Sequence, residues 1–334
     1  MTHLIRYTRE DLLAHTNKRD GEVKAGEVIP VLSPEVELKD SASLYVIIGI
    51  PEDIGVKANH GKAGTSMAWN AFLNSYCNIQ HTKTSRLKNA LVFGEIDCRL
   101  EMEEASQLEI TTNGAAEKLG ALVERIDYKV AEVVQTIVTA GKIPIIIGGG
   151  HNNAFGNIKG TSQALNKPIS VINFDAHSDF RPLEHRHSGN GFSYAKEDGF
   201  LDKYYIFGLH RNYTSQEIID RIEKSQGTIK IAWFEHMMLS RGSSIMQATI
   251  EADNFICDDH FGLEIDLDAI ANMGSSAMNP VGFSVADARS FTKHFSSNKN
   301  CAYVHICEGA PAFELFPNQV GKVISYLVSD VISG

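Results

Sequence analysis

The sequence predicts an α/β fold, a mostly parallel sheet covered by helices on both faces, in three layers. Two observations carry this. Short apolar runs alternate with amphipathic helical patterns along the whole length, which is the order of a parallel sheet with crossover helices. The runs are also rich in β-branched and aromatic residues, and most are bounded by Gly, Asp, Asn or His, as expected of strands buried on both faces. No Pro-rich or Ser-rich linker and no internal repeat divides the 334 residues. The expectation is therefore one domain over residues 1–334, with residues 1–40 as an N-terminal extension.

The expected strands are Leu44–Ile50, Ala90–Phe93, Ile143–Ile147, Ile169–Phe174, Tyr204–Leu209, Ile229–Trp233, Gly262–Leu267 and Ala302–Ile306. The clearest helix runs from Gly114 to Ala140. In it Leu119, Leu122, Ile126, Val130, Val133 and Ile137 recur at three- and four-residue steps and make one apolar stripe. Gly141 is its C-cap candidate, with Pro144 beyond. Further helices are expected at Thr65–Tyr76, Ser215–Lys224, Ser243–Ala252, Val285–Phe295 and Asn318–Ser333. Residues 181–200 are polar, contain Gly and lack a period, so they read as a long loop, a feature more often functional than accidental.

A net charge of −10 and 43% apolar residues describe a globular chain with a sizeable core and disfavour nucleic-acid or anionic-membrane partners. Five cysteines, at 77, 98, 257, 301 and 307, form no CxxC pair, which fits a reducing compartment without a disulfide framework. The start carries no apolar signal region, and no apolar run is long enough to span a bilayer. The chain is expected to be cytoplasmic.

Three expected strands end in metal-ligand residues: Ile145–Gly150 in His151, Val171–Phe174 in the run Asp175-Ala-His177-Ser-Asp179, and Gly262–Ile265 in Asp266-Leu-Asp268. Ligands of open parallel sheets bind at the carboxyl ends of strands, so these three ends point to one site. Residues two apart on a strand share a face, which would aim Asp266 and Asp268 at one centre. Each segment alone has a plainer reading: His151 as a loop residue, Asp266 and Asp268 as a turn or cap. Four carboxylates with two imidazoles are together too much negative charge to bury unpaired. Two divalent cations would offset them, held close by bridging carboxylates. Imidazole with carboxylate favours Mn²⁺, Fe²⁺, Co²⁺ or Zn²⁺ over Ca²⁺. Gly148-Gly-Gly150 lacks the spacing of a phosphate loop and reads as room for close backbone approach.

In this order and at these distances, the motifs GGGH, NFDAHSD and EIDLDA resemble those of the ureohydrolases, the family of arginases, agmatinases and formimidoylglutamases. The resemblance runs from Ile47 through Glu308. It implies a three-layer α/β/α fold, two manganese ions per chain, and hydrolysis of a C–N bond at an amidine or guanidine carbon. It implies that His151, Asp175, Asp179 and Asp266 hold one ion, that Asp175, His177, Asp266 and Asp268 hold the other, and that Asp175 and Asp266 bridge. Asp268 would relay a proton to the leaving amine, and Glu308 would pair with the cationic amidinium; its plain alternative is an exposed loop carboxylate. The family further implies a homo-oligomer, trimer or hexamer.

Two positions resemble formimidoylglutamases rather than arginases: Arg181 where arginases carry Asn, and Phe192 in Ser188-Gly-Asn190-Gly-Phe192 where they carry His. Arg181 would clamp a substrate carboxylate bidentately or else brace the loop, and Ser188 and Asn190 would donate to the same carboxylate. His185 and His187 read as loop residues or a proton shuttle. Three features depart from the family pattern: Glu264 stands where it has Ser, Ala271-Asn272 where it has Asp-Pro, and His305 where it has Asp. The segment Gly208–Tyr213 matches neither subfamily. The expected reaction is N-formimidoyl-L-glutamate plus water to L-glutamate and formamide, in histidine catabolism. The alternatives are an arginase, agmatinase or guanidino-acid hydrolase, a one-metal deacetylase, and a non-catalytic metal-binding protein.

Overall fold

The computed structural model describes residues 2–33, 35–239 and 244–333. Its strands are β1 (Leu4–Arg6), β2 (Tyr45–Gly49), β3 (Ala90–Ile96), β4 (Ile143–Ile147), β5 (Ile169–Phe174), β6 (Leu201–Leu209), β7 (Ile229–Trp233), β8 (Phe261–Asp266) and β9 (Cys301–Cys307). They form one sheet in the order β1-β3-β2-β4-β9-β8-β5-β6-β7. Every pairing is parallel except β1 with β3. All eight expected strands are present, shifted by a few residues at their ends. The strand that sequence reading missed is β1, three residues at an edge. It draws the N-terminal segment into the sheet, and Leu12, Ala25 and Ile29 of that segment are buried in the core.

The alternation of side chains along each strand divides the core into two slabs. Ile145 and Ile147 of β4 face one slab, where Trp69, Phe72, Phe291, Phe295, Ile324 and Leu327 pack. Ile146 faces the other, with Leu119, Ile126, Val130, Ile158 and Phe192. Helices thus cover both faces, giving the α/β/α layers. The long helix is Ala115–Thr139, with the whole expected stripe buried and Gly141 beyond it at φ +72°. Helix Ala154–Leu165 lies so close against it that a Cβ on Gly160 would come within 2.4 Å of the Ala131 carbonyl.

The expected helix at 65–76 is a 3-10 turn over Thr65–Met67 followed by an α-helix over Ala68–Tyr76. The one expected from Ser243 spans Ile245–Ile256, and Ser243 itself lies outside the described residues. Segment 181–200 is not a loop throughout. It contains a 3-10 turn at Ser188–Asn190 and a helix over Gly191–Glu197, too short to print a period. Among the described residues no helix is long and apolar enough to cross a membrane.

Candidate functional site

Four strands adjacent in the sheet converge on the site: β4, β8 and β5 lead into the expected metal ligands at their carboxyl ends, and β9 leads into Glu308. After β4 the chain turns through Gly148 and Gly149, at φ +90° and +73°. A Cβ on Gly149 would meet Asn153 Nδ2 at 2.3 Å. Buried Glu52 fixes this turn by accepting from the Gly150 N–H (3.0 Å), Asn153 Nδ2 (2.6 Å) and the Ile54 N–H (2.7 Å). The turn sets His151 fully buried at the edge of the cluster.

Asp175 follows β5, and its Oδ1 accepts from the His177 N–H at 2.6 Å while Oδ2 accepts from Asn173 Nδ2 at 2.9 Å. Asp179 sits at φ +44°, a backbone conformation that costs strain for a non-glycine residue and recurs at functional sites. Asp266 ends β8, but Asp268 is not on the strand. It lies in a 3-10 turn over Leu267–Ala269, and its N–H donates to Asp266 Oδ1 at 2.7 Å. The two carboxylates therefore converge through a turn, not through strand alternation as the sequence suggested.

The six side chains form two overlapping groups: His151, Asp175, Asp179 and Asp266 in one, Asp175, His177 and Asp268 in the other. His151 Nδ1 lies 2.8 Å from Asp179 Oδ2, 3.1 Å from Asp266 Oδ2 and 3.2 Å from Asp175 Oδ2. His177 Nδ1 lies 3.0 Å from Asp268 Oδ2 and 3.7 Å from Asp175 Oδ1. Asp175 reaches both groups; Asp266 belongs only to the first.

The donor set fits cations. Both ring nitrogens of His151 and Asp268 Oδ1 are buried without a hydrogen-bond partner, although oxygens crowd around them. Burial, then the neighbouring Asp268 and Asp175, pushes Asp266 well above the usual carboxylate range, and burial with Asp175 pushes Asp179 up to about 6. Burial works against Asp175 too, but His151 and His177 hold it low. Acids this close cannot all stay ionised without positive charge between them.

A cavity of about 600 Å³ opens above the cluster, lined by His177, Asp179, Asp266, Asp268 and Glu308 on its floor and by Arg181 and Ser188 on its wall. Glu308 is buried, not the exposed loop carboxylate that was its alternative. Its Oε1 accepts from the His151 N–H at 2.7 Å and its Oε2 from Ser276 Oγ. Burial, with Asp268 and Asp179 nearby, pushes Glu308 up to about 8 despite those hydrogen bonds. Arg181 is half exposed, donates to Asn59 Oδ1 at 2.8 Å and lies 3.3 Å from Glu184. Ser188 Oγ accepts from Asn59 Nδ2 at 3.1 Å.

Asn190 does not line the cavity. Its Oδ1 accepts from Arg186 Nη1 and the His187 N–H, its Nδ2 donates to the His185 carbonyl, and the side chain is fully buried in the loop. It braces the loop, and the expected contact with a carboxylate is withdrawn. His185 and His187 also serve the loop: His185 Nε2 meets the Ala58 carbonyl and His187 holds Glu184 and Gly189. Phe192 packs edge-on against the His151 ring, centroids 5.1 Å apart. Sequence reasoning missed Glu52, Asn59, Asp127, Arg186 and Ser276 as supports. Their partners are distant in sequence, and no local pattern marks them.

The family match and the formimidoylglutamase relatives support a hydrolase acting on C–N bonds in linear amidines, and the sheet and strand-end acids are consistent with it. The arginase-family model matches residues 43–332, and the chain belongs to that family. It is 24% identical to the formimidoylglutamase of Macrococcus caseolyticus over 94% of this chain and 92% of that protein. It is 30% identical to that of Chromobacterium violaceum over 54% of this chain and 53% of the relative. Its fold is similar to that of Trypanosoma cruzi formiminoglutamase solved with Mn²⁺, with a TM-score of 0.71, 20% identity, and coverage of 93% of this chain and 97% of that one.

Proposed function

We propose that this chain hydrolyses N-formimidoyl-L-glutamate to L-glutamate and formamide at a centre of two manganese ions. The observation that carries the substrate is Arg181. Among the described residues it is the one arginine or lysine lining the cavity, whose floor is carboxylate and imidazole and whose wall also carries Glu184 and Glu217. A substrate with an amidine at one end and carboxylates at the other matches that polarity, whereas the amine tail of agmatine would face a like charge. The names of the relatives point the same way.

His151, Asp175, Asp179 and Asp266 would hold one ion and Asp175, His177 and Asp268 the other, with Asp266 added to the second only by the family resemblance. When bound, the ions supply Lewis acidity and lower the pKa of water toward ~7. The protein's own residues do the rest. Glu308, anchored by the His151 N–H and Ser276, presents its carboxyl group to the amidinium. Arg181 orients the glutamyl carboxylate, with Ser188 Oγ beside it. Attack of water at the amidine carbon is followed by cleavage of its bond to the glutamate nitrogen, and Asp268 Oδ1, free of other partners among the described residues, carries the proton to that leaving amine. The family resemblance adds a trimer or hexamer, which sedimentation would test.

The direct experiment compares formimidoylglutamate, arginine, agmatine and guanidinobutyrate on manganese-loaded protein. Formamide release from formimidoylglutamate alone supports the proposal. Turnover of arginine or agmatine instead removes the argument from Arg181.

A further inference from the structure

Two of the departures from the family pattern, Glu264 and His305, are partners. Glu264 on β8 pairs in register with His305 on β9. Both side chains are fully buried, and His305 Nδ1 lies 2.5 Å from Glu264 Oε2. Tyr303, two residues earlier on β9 and so on the same face, donates its hydroxyl to Glu264 Oε1 at 2.7 Å. His305 Nε2 reaches the Gly148 carbonyl at 3.3 Å, in the turn that carries His151.

This network ends at the cluster. His151 Nδ1 faces Asp175, Asp179 and Asp266, while its other nitrogen, Nε2, has no hydrogen-bond partner and lies 3.4 Å from Glu264 Oε2. A buried ring N–H needs an acceptor, and a metal-binding imidazole commonly directs its distal N–H at a carboxylate, which fixes tautomer and ring angle. We propose that Glu264 and His305 are a matched pair of positioning residues: the His151 Nε2–H is directed at Glu264, which accepts it and leaves Nδ1 unprotonated toward the Asp175–Asp179–Asp266 carboxylates, and His305 holds Glu264 in that pose. The inference rests on the two-metal reading of the site. Glu264, His305, Cys307 and His151 also lie close enough to be considered as metal ligands themselves. The 2.5 Å approach of Glu264 to His305 leaves no room for an ion between them.

The pair explains why each departure needs the other. His305→Asp alone sets two buried carboxylates face to face. Glu264→Ser alone leaves His305 and Tyr303 without their acceptor. Glu264→Ser with His305→Asp restores the family combination. The test measures manganese per chain and its dissociation constant for wild type, both single variants, the double variant and the near-isosteric Glu264→Gln, with circular dichroism reporting the fold. Glu264→Gln is expected to fold and to bind manganese about 10- to 100-fold more weakly. The double variant is expected to recover most of what either single variant loses. Unchanged affinity in a folded Glu264→Gln, or losses that simply add in the double variant, would overturn the pairing and leave the two-metal reading standing. A third metal per chain that Cys307→Ser removes would overturn it in favour of a deeper site. Wild type that binds no manganese would overturn both readings.

Discussion

Arg186 Nε donates to Asp127 Oδ2 at 2.9 Å, tying the loop of residues 181–190 to the long helix beneath it. Both side chains are buried, and Arg186 also donates to Asn190 Oδ1 and the Asn152 carbonyl. One guanidinium therefore joins the loop bearing Arg181, the helix, and the turn after His151. Truncating one partner of a buried ion pair strands the other's charge, at a cost of about 3–5 kcal/mol. Arg186→Met is expected to lower stability by that order in urea titration and to reduce turnover as the loop loosens. A loss below about 1 kcal/mol would contradict the anchoring role.

Arg181 is expected to act on substrate binding. Its guanidinium is half exposed and shared with Asn59 and Glu184, so its contribution is moderate. Arg181→Ala should raise KM for formimidoylglutamate about tenfold, equivalent to about 1.4 kcal/mol, with kcat changed little. Lysine in its place should recover only part, since it lacks the planar fork. A fall in kcat at unchanged KM would place Arg181 in loop bracing instead.

His187 gives the loop a pH dependence. Its Nδ1 accepts the Gly189 N–H at 3.0 Å and its Nε2 meets Glu184 Oε1 at 2.9 Å, which requires the neutral ring. Burial, helped by the Arg181 charge and opposed by the Glu184 hydrogen bond, pushes it down to about 4. An unfolded histidine titrates near ~6.5, so between these values the unfolded chain binds the extra proton. The contribution is fully present above pH ~6.5 and is lost as pH falls through about 4, up to roughly 3 kcal/mol at about 1.4 per unit. In metal-free protein, the stability gap between wild type and His187→Asn should narrow from pH 7 to pH 4.5. A constant gap would show that the ring charges freely.

Chelation tests the electrostatics of the cluster. Without cations, the crowded Asp179, Asp266 and Asp268 repel one another, so prolonged EDTA treatment should lower Tm by several degrees and abolish turnover. Manganese at about 1,000 times its Kd should return about 4 kcal/mol. Calcium should return less, because two of the six donors are imidazoles. Equal rescue by both ions would mean that the imidazoles do not coordinate.

Much of this was legible in the residues. β4, β5 and β8 are largely apolar, fully or nearly fully buried strands that lead into His151, Asp175 and Asp266, and an acid closing a buried strand is hard to explain without a partner. The stripe from Leu119 to Ile137 printed its helix because 25 residues hold many turns of one period. Gly191–Glu197 is seven residues long and holds about two turns, too few for a stripe to emerge from a polar segment. Asp127 and Arg186 are 59 residues apart, and only the packing of loop on helix brings them together. Asn190 could be recognised as a loop residue but not as one turned inward, since its three partners come from the fold of the loop itself. Glu264 and His305 stood out singly, and their pairing depended on the register of β8 against β9.

The measurement that bears most directly on the central claim is the manganese content of protein loaded with the metal and dialysed, in wild type and Asp175→Asn. Asp175 is the one side chain that reaches both groups of donors. The account predicts two ions per chain in wild type and the loss of at least one in the variant. A wild type that retains none or one, or a variant that keeps both, would contradict a two-metal centre built on Asp175.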